Sequence, residues 1–431
     1  MQTSIARSLL QNPEVAHAES ILRKCVHCGF CNATCPTYLL TGEELEGPRG
    51  RIYLMKNVLE GKITLTDSVV RHIDSCLSCF ACMTTCPSGV QYSHLVDETR
   101  ARIETEYRRG PLDRLQRMML ALTLPFPGRF RMSLRMGRLA KPFAYLLPAT
   151  LRAMLALTPA RIPPPARLAT PGVHSAQGAR RARVALLTGC AQQVLGPEIN
   201  DATVRLLTRL GCEVVIPPAM GCCGALVFHM GDRPGSLPHM RRNIAAWTAE
   251  MDGEGLDYIV INTSGCGTVV KDYGHILANE PEWSGPAARV AAIAKDLSEV
   301  LAALGVPKDL HGAVPPLRLA YHDACSLQHG QKVRQPARTL LRQAGFEVVD
   351  VPEGHLCCGS AGTYNALQPV TAAELGRQKA GHIARTGAAA VATANIGCME
   401  QIAQHSDLPV LHTVQFLDWA TGGPRPQGLP E

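Results

Sequence analysis

The chain has 431 residues, 46% hydrophobic and 18% charged, a globular composition with material for two to four domains. Its 17 cysteines would suit a disulfide scaffold, but the chain is too long for a stapled miniprotein. The net charge of +7 is local: twelve Arg/Lys and one acid, Asp113, lie between Arg108 and Arg167, which leaves the remainder about four units negative.

Residues 1–20 are mixed polar, with no apolar leader, and no run approaches 18 uncharged apolar residues. The expected setting is reducing and cytoplasmic. The first informative elements are two copies of C-x2-C-x2-C-x3-C-P. One is Cys25, Cys28, Cys31, Cys35, Pro36; the other is Cys76, Cys79, Cys82, Cys86, Pro87. This run wraps a cubane [4Fe–4S] cluster, with three thiolates reaching one cube from a tight loop. The fourth cysteine, followed by proline, ligates the other cluster. The expected sets are therefore Cys25, Cys28, Cys31 with Cys86, and Cys76, Cys79, Cys82 with Cys35. Zinc is the competing reading, but zinc knuckles use paired C-x2-4-C units rather than triplets with a trailing Cys-Pro.

About forty residues between the runs carry helical periodicity at Ile52, Met55, Val58 and Leu59. That spacing predicts a helical ferredoxin module over 1–107. His27, Phe30, Leu77 and Phe80 sit inside the cluster loops, placed to exclude water and tune potential rather than to ligate. Gly47-Pro48-Arg49-Gly50-Arg51 reads either as a surface turn or as two cations touching an anionic cluster or a partner. Residues 108–180 form a basic amphipathic linker. It is either a surface for an anionic membrane or partner, or a connector whose arginines snorkel to water. Nucleic acid is not an expected partner, since no binding motif is present.

Beyond residue 180 a longer repeat begins. Cys190 is followed by Cys222-Cys223-Gly224 and Cys266; Cys325 is followed by Cys357-Cys358-Gly359 and Cys398. Predicted strands Val184–Leu187 and Leu317–Tyr321 run into the lone cysteines. Predicted helices Ala202–Leu210 and Ala337–Ala344 end at Gly211 and Gly345. Second strands, Glu213–Ile216 and Phe346–Val351, lead to the Cys-Cys-Gly loops, and third strands, Tyr258–Asn262 and Ala389–Ala394, deliver the last cysteines. Alternating strands and helices imply parallel βαβ units with the cysteines on loops after strand ends. The fold class is thus α+β multidomain: the helical module, then two Rossmann-like Cys-Cys-Gly domains at 181–312 and 313–431. Each quartet could hold a further iron–sulfur cluster, zinc, or nothing. Cys212, matched by Phe346, reads as a small buried hydrophobe. His322-Asp323 beside Cys325 reads as packing or as support to the cysteine site rather than a proton relay.

No G-x-G-x-x-G or Walker loop is found, so no flavin or nucleotide is expected on this chain. Low-potential clusters move single electrons, and a flavin elsewhere would bridge them to a two-electron substrate.

Two cubane runs followed by two Cys…Cys-Cys-Gly…Cys repeats resemble the iron–sulfur subunit of bacterial glycolate oxidase, from about Ser8 to Leu417. Residues 22–56 and 74–97 carry the likeness most specifically. Related architectures occur in anaerobic glycerol-3-phosphate dehydrogenase, lactate-utilisation proteins and heterodisulfide reductase subunits. The resemblance implies a non-flavin relay subunit of a glycolate dehydrogenase complex, inactive on glycolate by itself. It would take electrons from FAD-binding flavoprotein subunits and pass them to a membrane acceptor, a quinone. The chain departs from the heterodisulfide type where that pattern has C-x2-C: Thr263 and Asn395 replace the first cysteine, leaving four ligands per repeat. Thiol–disulfide reduction, or relay for lactate or glycerol 3-phosphate, are the alternatives.

Overall fold

The structure, a computed structural model, describes residues 1–306 and 314–429, with side chains omitted at 149–150. The expected 312/313 domain boundary lies outside the described residues. The N-terminal region is helical. Asn12 caps the helix Pro13–Lys24 by accepting from the Glu14 N–H at 2.9 Å, and proline occupies its first position. Its buried face, Val15, Ala18, Ile21 and Leu22, packs on Ile52 and Met55 of the helix Pro48–Leu59 and on Leu95 and Val96 of Tyr92–Glu106.

Among the described residues, nine strands build two sheets. In the first, β1 (Gly172–His174), β2 (Ala182–Leu187), β3 (Cys212–Ile216), β4 (Tyr258–Ile261) and β5 (Ala294–Asp296) run in the order β1-β3-β2-β4-β5. In the second, β6 (Arg318–Tyr321), β7 (Glu347–Asp350), β8 (Ala390–Thr393) and β9 (Val410–His412) run β7-β6-β8-β9. Apart from antiparallel β1, every pairing is parallel, with Val184 opposite Tyr258 and Leu319 opposite Ala390. The sheets are two copies of one doubly covered α/β plan, and β2 is buried along its whole length.

The expected strands appear within about two residues of their predicted ends. The helices Pro197–Arg209 and Pro336–Gln343 begin earlier than periodicity suggested at the first copy, where Pro197 sets the start. Gly211 and Gly345 take φ of 83° and 97°, the left-handed turn that stops each helix. The edge strands β5 and β9 were not foreseen; each is three residues long, and Ala294-Lys295-Asp296 has no β-branched residue to announce it. The segment read as a linker is also more than that. It holds three helices, Pro111–Thr123, Pro127–Ala140 and Ala149–Ala156, and it contributes β1 to the first sheet.

The repeats pack reciprocally. Pro197–Arg209 of the first contacts Thr413–Ala420 at the end of the second, and Pro336–Gln343 of the second contacts Leu297–Leu304 at the end of the first. One apolar core runs through both, including fully buried Leu206, Leu207, Leu301, Leu341 and Phe416, each worth about 1.5–3 kcal/mol on burial. Asp418, itself buried, accepts from Arg205 at 2.6 Å and Arg209 at 3.1 Å across this seam. The helical module sits on both repeats, through His94–Asp272 (3.1 Å), His229–Asp97 (3.0 Å) and Tyr364 Oη donating to the Ser75 carbonyl (3.1 Å).

Candidate metal centres

The two N-terminal loops share one backbone solution. In Cys25–Cys31, His27 and Gly29 have φ of 60° and 87°; in Cys76–Cys82, Ser78 and Phe80 have 48° and 60°. Alternating left-handed residues curl each loop and gather its N–H groups into an anion-binding concavity. Non-glycine residues pay about 1–3 kcal/mol for such a conformation, a cost tolerated where function needs the geometry. The Ser78 N–H already donates to Cys76 Sγ at 3.5 Å, as does Tyr92 Oη at 3.6 Å.

The two cavities at these loops collect the cysteines in crossed sets. Cys25, Cys28, Cys31 and Cys86 line the first. Cys35, Cys76 and Cys79 line the second; Cys82 borders both. Burial, with Cys25 and Cys86 alongside, pushes the Cys31 thiol up to about 11. Burial also raises Cys79 and Cys82, reinforced by neighbouring cysteines. Thiols that resist ionisation when crowded and buried become thiolates once a cluster supplies positive charge, so the donor set fits cubane iron.

Arg51 is not on a surface turn. Pro48 starts a helix, and Arg51, 1% exposed, is carried beneath the second cavity. It donates to Glu46 (2.8 Å), Ser75 (2.9 Å), Thr37 (3.1 Å), the His72 carbonyl (2.6 Å) and Cys35 Sγ (3.8 Å). Burial opposes its charge, but Cys76, Tyr92, Cys35 and Glu46 hold it firmly protonated. Arg49 pairs with Glu44 at 2.6 Å. Of the two readings of Gly47–Arg51, the contact with a cysteine site is the one that the geometry favours. His27 lines the first cavity without replacing a cysteine there.

The C-terminal quartets also assemble. Cys190 and Cys222 Sγ are 3.5 Å apart, with the Cys223 and Cys266 thiols interacting beside them. In the second repeat Cys325 and Cys357 are 3.9 Å apart, with the Cys358 and Cys398 thiols interacting beside them. The expectation that all lie on loops needs one correction: Cys266 and Cys398 occupy the first turns of the helices Ser264–Lys271 and Ile396–Ala403. Strand-to-helix junctions of only two residues, Asn262-Thr263 and Ala394-Asn395, put them there. Gly224 and Gly359, with φ of 84° and 92°, donate N–H to Cys222 and Cys357 at 3.4 Å. At Gly359 a Cβ would lie 2.5 Å from the Ala372 carbonyl, so only glycine fits. Hydrogen bonds from Cys190 and Cys223 hold Cys222 well below the usual thiol range, as those from Cys357 and Cys398 hold Cys358. The same bonds push Cys190 and Cys223 up. Buried thiols crowded in this way are held apart in their acidity until a metal takes up their charge.

Cys212 is buried in the core under Arg181, away from both quartets, as expected of a small hydrophobe. Thr263 and Asn395 stand where a fifth ligand would be; Thr263 bonds Gln192, and Asn395 donates to Cys398 Sγ at 3.4 Å. His322 and Tyr92 lie nearer the sulfurs than sequence reasoning gave them credit for. A His directly after a buried strand end was the visible signal for the first; nothing marked the second.

A cavity of about 590 Å³ joins these sites. Cys190, Cys223, Cys266, Cys325, Cys357, Cys358 and Cys398 line it, together with Cys76 of the N-terminal module. Its roof is apolar and comes from the basic segment: Leu120, Leu124, Phe130, Leu134 and Met154. Cys79 lies against Cys325 and Cys357 through Leu77 and Tyr364, so the second N-terminal cavity adjoins the second repeat's quartet.

Residues 21–90 match the 4Fe-4S dicluster domain, and residues 184–271 and 319–403 match the cysteine-rich domain. The chain is 40% identical over 422 residues to the glycolate oxidase iron–sulfur subunit of Escherichia coli (strain K12), covering 97% of this chain and 99% of that protein. It is 34% identical to the probable glycolate oxidase iron–sulfur subunit of Bacillus subtilis (strain 168), over 89% of each. It is 32% identical to lactate utilization protein A of Geobacillus kaustophilus (strain HTA426), over 51% of this chain and 90% of the other. A crystal structure of a hypothetical Helicobacter pylori protein shares the fold, with a TM-score of 0.55 at 11% identity, covering 96% of this chain and 73% of that one. With two [4Fe–4S] clusters in its helical module and two cysteine-rich repeats behind them, the chain is an iron–sulfur electron-transfer protein and belongs to the family of glycolate oxidase iron–sulfur subunits.

Proposed function

We infer that the chain relays electrons from FAD-bearing flavoprotein subunits that oxidise glycolate to a quinone at the membrane. The bound clusters supply one-electron transfer, which a flavin couples to the two-electron oxidation. The observation that carries the reading is the continuity of the cysteine sites, from an exposed apolar face to the roofed cavity. Cys28 is exposed, and around it Val26 and Phe30 are 68% and 62% exposed. Apolar side chains left in water beside a redox site fit a partner subunit. Cys25, Cys28, Cys31 and Cys86 hold the first cluster; Cys35, Cys76, Cys79 and Cys82 hold the second, which Cys79 brings against Cys325. The four domains are 1–107, 108–180, 181–312 and 313–431, with the second acting as roof.

The roof's outer face supports a peripheral seat on the inner surface of the cytoplasmic membrane. Arg114, Arg129, Arg135, Arg138 and Lys141 are exposed there among Leu115, Met118, Met132, Met136, Leu139 and Phe143. Cations interleaved with large apolar groups bind an anionic interface by both terms. Among the described residues no helix is long and apolar enough to cross a membrane.

Anaerobic affinity purification of the tagged chain from its host tests the reading. The eluate should contain a flavoprotein, reduce dye with glycolate in preference to lactate or glycerol 3-phosphate, and sediment with anionic vesicles at low salt. The isolated chain should have no glycolate activity. A flavin-free eluate inactive on all three substrates would contradict the relay, and a complex that stays in the supernatant would remove the membrane seat.

A further inference from the structure

One buried group at the second repeat's quartet is explained neither by the fold nor by the cysteine pattern. His322 is 1% exposed; its ring nitrogens make no well-formed hydrogen bond, and the polar atom its ring meets is Cys358 Sγ. A buried polar group without a good partner is costly, so this imidazole is placed to take a ligand. One of its ring nitrogens, Cys358 Sγ and Cys398 Sγ all lie within 4.8 Å of one another. That spacing sets the imidazole beside two of the quartet's thiolates, within reach of the metal centre they would hold.

The first repeat offers no such group. The matched position is Leu187, the last residue of β2, fully packed in the apolar core. A second difference points the same way. Lys379 is buried among the second quartet's sulfurs and Asp323, and donates to the Glu353 carbonyl at 2.9 Å. The equivalent helix of the first repeat presents neutral Asn243, which donates to the Cys222 carbonyl at 3.0 Å. The two quartets, alike in cysteine spacing, therefore differ in the helix group nearest the cysteine pair, Lys379 in one and Asn243 in the other, with His239 and Arg242 farther along that helix in the first.

We propose that His322 is a ligand of the metal centre in the second repeat, which makes that centre a mixed nitrogen–sulfur site while the first repeat's is all sulfur. With His322 in one of the four ligand places, one of the quartet's cysteines is left unbound; the neutral imidazole brings less negative charge than the thiolate it displaces, and histidine ligation raises the potential of iron–sulfur centres. Lys379 acts in the same direction. The second repeat, which adjoins the N-terminal cluster at Cys79, is then the more oxidising of the two and the natural sink for electrons leaving the helical module. This rests on the relay reading only for its significance; the ligation stands on the geometry.

The test is pulsed EPR of the anaerobically purified full complex, prepared with ordinary and with 15N-labelled histidine. A strongly coupled nitrogen on one reduced centre, shifted by the label and absent in His322→Ala, is the expected result. His322→Cys should keep the centre, lose the nitrogen and move its midpoint potential downward; Leu187→Ala should leave both readouts unchanged. A third iron–sulfur signal with no strongly coupled nitrogen in the labelled wild type overturns the ligation while leaving the relay intact. If the repeat holds zinc instead, the iron reading fails, and zinc-edge absorption decides the ligation: one imidazole in the shell upholds it, and an all-sulfur shell overturns it.

Discussion

Replacing Cys35 and Cys79 together should leave one N-terminal cluster, whereas replacing Cys35 and Cys28 together should leave none. The first double variant removes one cysteine from each sequence run and the second removes two from a single run, so local ligation would predict the reverse, no cluster left in the first and one in the second. Crossed ligation does not. Cys35 and Cys79 face one cavity, and Cys28 faces the other with Cys25, Cys31 and Cys86. Relative to the parent chain, iron content should fall by about four atoms in the first variant and about eight in the second, given four irons per cube. EPR of the reduced Cys35→Ala, Cys79→Ala chain should retain a single uncoupled cluster signal. Equal iron in the two doubles, or more iron in the Cys35, Cys28 variant than in the Cys35, Cys79 variant, would contradict the crossed sets.

Replacing Arg51 by alanine should be the most damaging change outside the cysteines. Glu46 accepts from Arg51 at 2.8 Å, and its side chain is only 10% exposed, so the substitution leaves a buried carboxylate without its cation. His72 Nδ1, at 2.6 Å from the other Glu46 oxygen, is the one remaining partner able to carry a charge. Breaking a buried pair from one side costs about 3–5 kcal/mol. The loss should appear as a marked fall in thermal midpoint of the cluster-loaded chain. Arg51 also places its charge at Cys35 and the second cluster, so Arg51→Lys, which keeps a cation but not the fork, should recover part of the stability. In Arg51→Ala the second cluster should titrate at a more negative potential, with the first unchanged. A chain of unaltered melting point and unaltered potentials would mean that the buried pair carries neither role.

The gathering of the eight N-terminal cysteines around two cavities was legible because C-x2-C-x2-C-x3-C-P is the spacing of cubane ligation. The repeat was legible because both copies keep the 32-residue step from lone cysteine to cysteine pair, and because Gly211 and Gly345 punctuate the same helix end. Three features were not legible, each for a physical reason. The edge strands β5 and β9 are too short for their sequences to alternate, and they are held by pairing with β4 and β8 rather than by propensity. Arg51 looked like a surface cation because Pro-Arg-Gly-Arg has turn composition; its burial depends on Glu46, Ser75 and the His72 carbonyl, which are remote in sequence. The inward face of the basic segment was hidden for the opposite reason: Leu120, Phe130 and Leu134 have the same periodicity as the exposed Leu115, Met132 and Met136, and only the neighbouring repeats decide which stripe is covered.

The most direct measurement is EPR on the whole complex frozen within milliseconds of mixing with glycolate under anaerobic conditions, with quinol followed in parallel. A relay through this chain predicts reduced-cluster signals that rise before quinol accumulates. It also predicts that the Cys35→Ala, Cys79→Ala chain stops quinol formation while glycolate still reduces the flavin. Quinol formed at the full rate with the clusters oxidised throughout, or undiminished in that variant, would contradict it.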